Sequence, residues 1–213
     1  MIINTGMRTD IPAFYSKWFI NRLKAGYVYV RNPYYPQQIT KYLLNQEVVD
    51  CIDFCTKNPQ PMLKYLDILK GYNMFWYVTI TPYGNDIELN VPPKDTVIAS
   101  FKELATRLKD SFVGWRYDPI FLNDTFTIER HIQEFNYLAQ KLKGYTKTCV
   151  ISFLDVYDKV KRNAPDLIPP TKEEQILLAT AFKKIALTNN IKLYACCEGD
   201  FLNSYGIDCT GCK

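Results

Sequence analysis

Short apolar runs alternate with amphipathic stretches along most of this sequence, and this alternation limits the fold more than any other feature. The runs cover residues 48–54, 74–80, 112–115, 149–153 and 191–195, and they are rich in β-branched and aromatic residues, as buried strands are. Between them, apolar residues recur with helical spacing over 97–108, 128–142 and 178–185. Thr171 and Glu174 form a capping box before the last of these helices.

The spacing of the runs predicts an α/β fold. One strand recurs roughly every 30 to 40 residues, which is the length of a strand, a crossover helix and their loops, so successive strands should be parallel. With a first strand over 2–5 and a helix over 13–24, the pattern indicates a full or partial (β/α) barrel of about six βα units. Residues 27–30 are predicted to add a short strand, and residues 39–43 an extended loop.

Composition narrows the class of protein. No apolar stretch reaches eighteen residues and no basic-then-apolar leader opens the chain, so neither a membrane span nor a secretory signal is expected. Seven cysteines are an odd number for a disulfide scaffold and favour a reducing cytoplasm. The net charge of +4 is mild and the cations are spread along the chain, so nucleic acid is not indicated as a partner.

Polar residues follow the predicted strands, where the active site of a parallel barrel forms. The candidate residues at these strand ends are Arg8, Asp10, Lys57, Asn58, Thr81, Arg116, Asp118, Asp155 and Glu198. Lys57 could serve as a Schiff-base nucleophile. The structural alternative is that these residues belong to polar loops, with Arg8–Asp10 and Arg116–Asp118 as ion pairs at the rim.

One histidine, His131, is present, which argues against a histidine-based zinc hydrolase and against a Ser-His-Asp triad. It lies within a predicted helix, where a surface position is expected.

Four of the seven cysteines lie in the last eighteen residues, at positions 196, 197, 209 and 212. Thiolates bound to a metal can hold a glycine-rich segment together, so this segment predicts a zinc or iron–sulfur site. Elsewhere, Cys149 and Cys51 are expected in the core. Cys55 shares a strand face with Cys51 and is expected to face the strand-end site.

Seven segments together carry a family resemblance: Arg8-Thr-Asp-Ile-Pro12, Val30-Arg-Asn-Pro33, Thr56-Lys-Asn-Pro59, Thr81-Pro-Tyr-Gly84, Asn90-Val-Pro-Pro93, Trp115-Arg-Tyr-Asp-Pro-Ile120 and Val150-Ile-Ser-Phe-Leu-Asp155. In this order they resemble a mainly bacterial family classed as a domain of unknown function. The C-terminal cysteine cluster of that family has been likened to the iron–sulfur site of radical S-adenosylmethionine enzymes. Cys55 departs from the pattern, because the family commonly has an aromatic residue there.

The resemblance implies a 4Fe-4S cluster held by Cys196, Cys209 and Cys212, with S-adenosylmethionine as cofactor and a ferredoxin or flavodoxin as reductant. It further implies that Thr81 and Glu198 contact the cofactor. The substrate and the methionine portion of the cofactor would be bound by Arg8, Asp10, Lys57, Asn58, Arg116, Asp118 and Asp155. No C-x-x-x-C-x-x-C motif occurs, so the cluster would follow the last strand rather than the first.

The chain is therefore expected to comprise a barrel-like domain over 1–195 and a cysteine-rich segment over 196–213. Family members usually continue beyond the equivalent of Lys213, so this segment is expected to be truncated.

Two other functions remain open at the level of sequence. The four cysteines could form a structural zinc site in a binding module. Alternatively, the chain could be a metal-free barrel hydrolase or lyase that uses Lys57 or paired acids, with inert reduced cysteines.

Overall fold

Seven parallel strands form the central sheet of this mixed α/β protein, in a computed structural model that describes residues 1–108, 112–164 and 166–209. Its strands are β1 (Ile2–Asn4), β4 (Cys51–Thr56), β5 (Met74–Thr79), β6 (Phe112–Ile120), β7 (Thr148–Phe153), β8 (Lys192–Ala195) and β9 (Asp208–Cys209). A separate antiparallel pair consists of β2 (Tyr27–Arg31) and β3 (Ile39–Leu43).

Eight α-helices connect these strands in the described part of the chain. They are α1 (Ile11–Phe14), α2 (Ser16–Ala25), α3 (Gln60–Leu63), α4 (Leu66–Leu69), α5 (Lys94–Arg107), α6 (Ile128–Leu142), α7 (Asp158–Asn163) and α8 (Lys172–Thr188). The capping box predicted at Thr171 and Glu174 is confirmed at the start of α8. Within the same residues, no helix has both the length and the apolar character needed to cross a membrane.

The strand order in the large sheet is β1-β4-β5-β6-β7-β8-β9, and every neighbouring pair is parallel. The order follows the chain without reversal, as in a singly wound sheet rather than a doubly wound one. A full or partial barrel was expected. Across the described ranges no pairing joins β9 to β1, so these residues do not form a full barrel, and the open parallel sheet is compatible with a partial one. The carboxyl ends of all seven strands still meet along one edge.

The two faces of the sheet differ in polarity. On the outer face, Phe54 stacks on Trp76, and the rings of Trp115 and Phe182 stack on either side of Phe135 from α6. Burying these rings contributes to the hydrophobic driving force that packs the helices on this side. The inner face carries half-buried polar side chains, because residues alternate between the two faces along each strand.

His131 is buried in the outer layer, so the expected surface position is wrong. Its Nδ1 lies 2.8 Å from the Tyr117 hydroxyl, and its Nε2 lies 2.8 Å from the Phe121 carbonyl oxygen. Because that carbonyl can only accept, Nε2 carries the proton and Nδ1 accepts from Tyr117. Burial lowers the pKa of His131, which holds the ring neutral in the core.

Several boundaries differ from the sequence prediction. The helix expected over 13–24 is two helices that meet at Tyr15, and the strand expected from residue 48 begins at Cys51. Strand β6 runs five residues beyond Trp115, with a register shift between Tyr117 and Ile120. The segment 39–43, expected as an extended loop, is strand β3, because it pairs with β2 along its whole length.

Candidate functional site

The Asp10 carboxylate connects the ends of β1 and β4. It caps α1 by accepting from the Ala13 amide at 2.9 Å, and it also accepts from the Thr56 hydroxyl at 2.7 Å and the Lys57 amide at 2.8 Å. Three donors occupy one carboxylate, so Asp10 fixes the strand ends to each other. The rim ion pair expected between Asp10 and Arg8 does not form; the exposed Arg8 guanidinium donates to the Arg31 carbonyl at 3.4 Å.

Lys57 forms an ion pair with Glu88 at 2.6 Å, and the Thr81 hydroxyl donates to the same Glu88 oxygen at 2.9 Å. We call the set Asp10, Thr56, Lys57, Thr81 and Glu88 the Lys57 cluster. A protonated amine held against a carboxylate is a poor nucleophile, so this contact does not favour a Schiff-base role for Lys57. A cleft of about 160 Å³ opens beside the cluster, lined by Thr81, Glu88 and the loop that leads into α5.

Asn58 has a local structural role at the end of β4. Its backbone amide donates to the Thr56 hydroxyl at 2.9 Å, and its side-chain oxygen accepts from the Gln60 amide at 3.2 Å. These contacts form the turn that leads into α3.

A second polar group lies on the inner face of β6, β7 and β8. Arg116 pairs with Asp118 at 2.7 Å, as expected for the rim, although both residues lie within β6 rather than after it. The Ser152 hydroxyl donates to the other Asp118 oxygen. Arg116 also lies 4.0 Å from the Cys55 sulfur, which confirms that Cys55 faces the site. We call Cys55, Arg116, Asp118, Ser152 and Cys196 the Arg116 cluster.

Further polar groups that are partly shielded from solvent lie next to the Arg116 cluster on the inner face of the sheet. Asp53 Oδ1, Arg116 Nε and Thr148 Oγ1 are buried and form no hydrogen bond with the described residues. Burial raises the pKa of Asp53, and Arg116 partly opposes this shift. Burial also raises the pKa of the Cys55 thiol, which makes it a weak nucleophile.

Tyr77 lies among these groups, with the Arg116 guanidinium 5.9 Å from its ring centre. Gly114, opposite Tyr77 on β6, leaves room for the ring: a Cβ at this position would lie 2.6 Å from Tyr77 Cε1. Burial raises the pKa of Tyr77, and Arg116 lowers it. The inner face is therefore a polar surface on which the Tyr77 ring packs beside Arg116.

Cys51 also lies on this face, at the amino end of β4, and is half-buried, so the expectation that it is a core residue is wrong. Cys149 is fully buried on the outer face, as expected.

Neighbouring strands position the backbones of two of the three predicted cluster ligands. Ala195 and Cys209 are partners in the β8–β9 register, so Cys196 and Cys209 stand at the carboxyl ends of adjacent strands. The third, Cys212, lies outside the described residues. The φ of 62° at Cys197 turns the chain, and the sulfurs of Cys196 and Cys197 are 3.9 Å apart.

Glu198 connects the cysteine segment to β7. Its Oε1 accepts from the Phe153 amide at 2.7 Å. Burial raises the pKa of Glu198 to about 7; the Phe153 amide opposes this shift, and Asp155 and Asp118 add to it. Asp155 itself is exposed.

In the described ranges, no group of three or more His, Cys, Asp or Glu side chains has the geometry to hold a metal ion. Sequence reasoning missed Glu88, Ser152, Asp53 and Tyr77 as neighbours of the site. Glu88 lies in a loop seven residues after Thr81, where no pattern distinguishes it. The other three alternate with buried residues on β4, β5 and β7, and this period-two pattern was the available signal.

The fold and these contacts define an α/β protein with a polar, cysteine-bearing site at the carboxyl ends of its parallel strands. The chain belongs to the family described as a domain of unknown function (DUF1848), which matches residues 2–213. A comparison with curated proteins gave no match. Among solved structures, the chain resembles a protein described as a putative alpha-L-fucosidase from Bacteroides thetaiotaomicron. The TM-score is 0.38 at 11% sequence identity, over 91% of this chain and 72% of that one.

Proposed function

We propose that this chain is an iron–sulfur enzyme of the radical S-adenosylmethionine type, acting on a substrate bound at the carboxyl-terminal face of a partial (β/α) barrel. The observation that carries the proposal is the position of Cys196 and Cys209 at the ends of adjacent strands. Cys196 belongs to the Arg116 cluster. Burial lowers the pKa of Arg116, but Asp118, Cys55 and Cys196 together raise it above its ordinary value.

The residues of this chain provide part of what a 4Fe-4S cluster needs. Thiolates are the ligands of iron–sulfur clusters, and Cys209 is followed three residues later by Cys212, so a third sulfur lies close in sequence. Bound and reduced, a 4Fe-4S cluster with one open iron would deliver an electron to S-adenosylmethionine. A ferredoxin or flavodoxin is the class of protein that would supply that electron.

The remaining polar residues then divide between two tasks. Arg116 and Asp118 face the cysteines across the inner surface and would orient the substrate or the methionine portion of the cofactor, while Glu198 would contact the cofactor beside Cys196. The Lys57 cluster, with Asp10 and Thr81, would hold the ends of β1, β4 and β5 in place around them. Arg8, Asn58 and Asp155 lie at the rim of this face.

Anaerobic reconstitution with iron and sulfide tests the proposal. We expect about four irons per chain, a broad visible absorption band and binding of S-adenosylmethionine. Cys209→Ala should lose the iron, whereas Cys51→Ala, at the opposite end of β4, should retain it. A chain that stays colourless, or a Cys209→Ala variant that keeps its iron, would contradict the proposal.

A structural zinc site is the second candidate, and the Cys196–Cys197 distance favours it. Two sulfurs that bind one tetrahedral ion at about 2.3 Å lie about 3.8 Å apart, close to the observed 3.9 Å. Ligands of a 4Fe-4S cluster bind different irons and stand further apart. With Cys209 and Cys212, four thiolates would be available for one zinc.

Metal analysis of the purified protein distinguishes the two candidates. About one zinc per chain, lost in Cys197→Ala, would support the structural site. Iron that is retained in Cys197→Ala would support the enzyme. A metal-free hydrolase or lyase that uses Lys57 finds less support, because Lys57 forms an ion pair with Glu88.

A further inference from the structure

Basic residues are spread along the whole chain, but acidic residues are absent from one segment of it. Residues 11–46 contain five lysines and arginines, nine aromatic residues and no aspartate or glutamate. The rest of the chain carries 21 basic and 22 acidic residues, so this segment accounts for the positive net charge. It comprises α1, α2 and the β2–β3 hairpin.

The hairpin presents one face of this segment to solvent. The β2–β3 register pairs Tyr27 with Leu43, Tyr29 with Lys41 and Arg31 with Ile39, and directly opposed residues share a face. We call these six residues the hairpin face. Tyr29 is 61% exposed, and Arg31, Ile39, Lys41 and Leu43 are also exposed. The opposite face of the hairpin includes Val28, which packs against the core.

The tip of the hairpin extends the same surface. Tyr34 and Tyr35 lie between Pro33 and Pro36 and are 86% and 64% exposed. Exposed apolar side chains that are scattered singly need no explanation, but a contiguous set on one sheet face marks an interaction surface.

Cations and rings alternate on the hairpin face, and this arrangement selects the partner. The Lys41 ammonium lies 4.5 Å from the centre of the Tyr27 ring, and Arg31 follows Tyr29 on the same face. A bilayer surface would take up the rings only by drawing these two cations towards the hydrocarbon, whereas membrane-binding helices separate their charged and apolar faces. A single-stranded nucleic acid offers phosphates and flat bases in alternation, and proteins bind it with cations and stacking rings.

We propose that the hairpin face binds single-stranded nucleic acid, with bases stacking on Tyr29 and the tip tyrosines and phosphates held by Arg31 and Lys41. Successive outward positions on a strand are about 7 Å apart, which leaves room for one base at each. Neither the family assignment nor the proposed enzyme requires this surface. The proposal is independent of the metal content of the cysteine segment.

Fluorescence anisotropy with labelled 15-residue oligo(dT) and oligo(U) tests the proposal at low salt. The Tyr29→Ala variant loses one base-stacking contact, so it should bind each oligonucleotide about tenfold more weakly than the parent chain. Lys41→Glu should weaken binding to both oligonucleotides and reduce the slope of log affinity against log salt by about one or more. Matched controls are Tyr157→Ala, at a side chain that is also 61% exposed, and Lys184→Glu on the exposed side of α8.

Both controls should bind like the parent chain. Circular dichroism establishes that each variant is folded, and Arg31→Gln with Lys41→Gln replaces Tyr29→Ala if that variant does not fold. The proposal is overturned if the parent chain does not bind either oligonucleotide at micromolar concentration, or if the hairpin variants bind as well as the controls. Sedimentation with vesicles of phosphatidylserine and phosphatidylcholine provides the other arm: hairpin-dependent binding to vesicles without binding to oligonucleotides would also overturn it.

Discussion

The Lys57 cluster and the Arg116 cluster lie on the same edge of one sheet, yet their polar groups are satisfied to different degrees. In the Lys57 cluster, Asp10 accepts three hydrogen bonds, and Glu88 accepts one from Lys57 and one from Thr81. In the second, Arg116 Nε is buried without a hydrogen bond to any described residue, and burial raises the pKa of the neighbouring Cys55. A satisfied network stabilises a fold, whereas partly satisfied groups beside cysteines are expected where a ligand binds.

The largest expected effect is in the Lys57 cluster. Asp10→Ala removes a helix cap and leaves the Thr56 hydroxyl and the Lys57 amide without their acceptor, so unfolding free energy should fall by about 3 kcal/mol. Urea denaturation measures this change. Asp10→Asn keeps an oxygen for the cap and should lose less. A loss below about 1 kcal/mol for the alanine variant would remove the structural role assigned to this cluster.

A substitution under the Arg116 cluster should have the next largest effect. Gly114→Ala forces the Tyr77 ring to move away from a Cβ at 2.6 Å, and overpacking of this kind costs about 2 kcal/mol. Gly84→Ala is the control, because its Cβ would meet only the flexible Asp86 carboxylate, at 3.0 Å. Thermal unfolding should separate the two variants clearly. Equal melting temperatures would mean that Tyr77 is not fixed below Arg116.

The pH dependence of stability tests the outer layer behind the Arg116 cluster. Burial lowers the pKa of His131 below its ordinary value of 6.5. Below pH 6.5 the unfolded chain binds a proton at His131 that the folded chain does not. The folded state therefore keeps its full stability above pH 6.5 and loses stability as the pH falls below that value. Urea denaturation between pH 7 and pH 5 should show the parent chain losing stability relative to His131→Gln. A constant difference between the two proteins would contradict a buried neutral histidine.

The smallest change is expected when the ion pair of the Arg116 cluster is replaced as a unit. Arg116→Met combined with Asp118→Asn removes both charges together, and such replacements of partly buried pairs change stability by less than about 1 kcal/mol. The same double variant should reduce binding of S-adenosylmethionine or substrate, if the proposed enzyme is correct. A loss as large as that of Asp10→Ala would show that both clusters are structural and would end the distinction between them.

Sequence reasoning located the strands well where they are buried on the outer face. The runs 74–80 and 191–195 contain β5 and β8, the run 149–153 contains most of β7, and the stripe over 128–142 coincides with α6. It failed where pairing or burial depends on distant residues. Strand β3 has five exposed residues and is defined only by its pairing with β2, and His131 is placed in the core by contacts with Tyr117 and Phe121.

The candidate site shows the same division. Polar residues after the apolar runs were visible in the sequence, and Arg116, Asp118 and Cys55 come together as the strand-end argument predicts. Their division into two clusters was not visible, because Glu88 and Ser152 reach the site from a loop and from a neighbouring strand. No local pattern reports which carboxylate a lysine or a serine will meet.

By itself, the sequence determined the α/β class, the parallel order of the strands and the concentration of cysteines after the last long strand, because these follow from periodicity and composition. Only the tertiary structure decided that the described sheet is not closed, that Cys196 and Cys209 stand at the carboxyl ends of adjacent strands, and that the acid-free segment 11–46 presents one exposed hairpin face. The physical reason is that register and burial depend on contacts between residues far apart in the chain, and hydrophobic periodicity carries no information about which of them will meet.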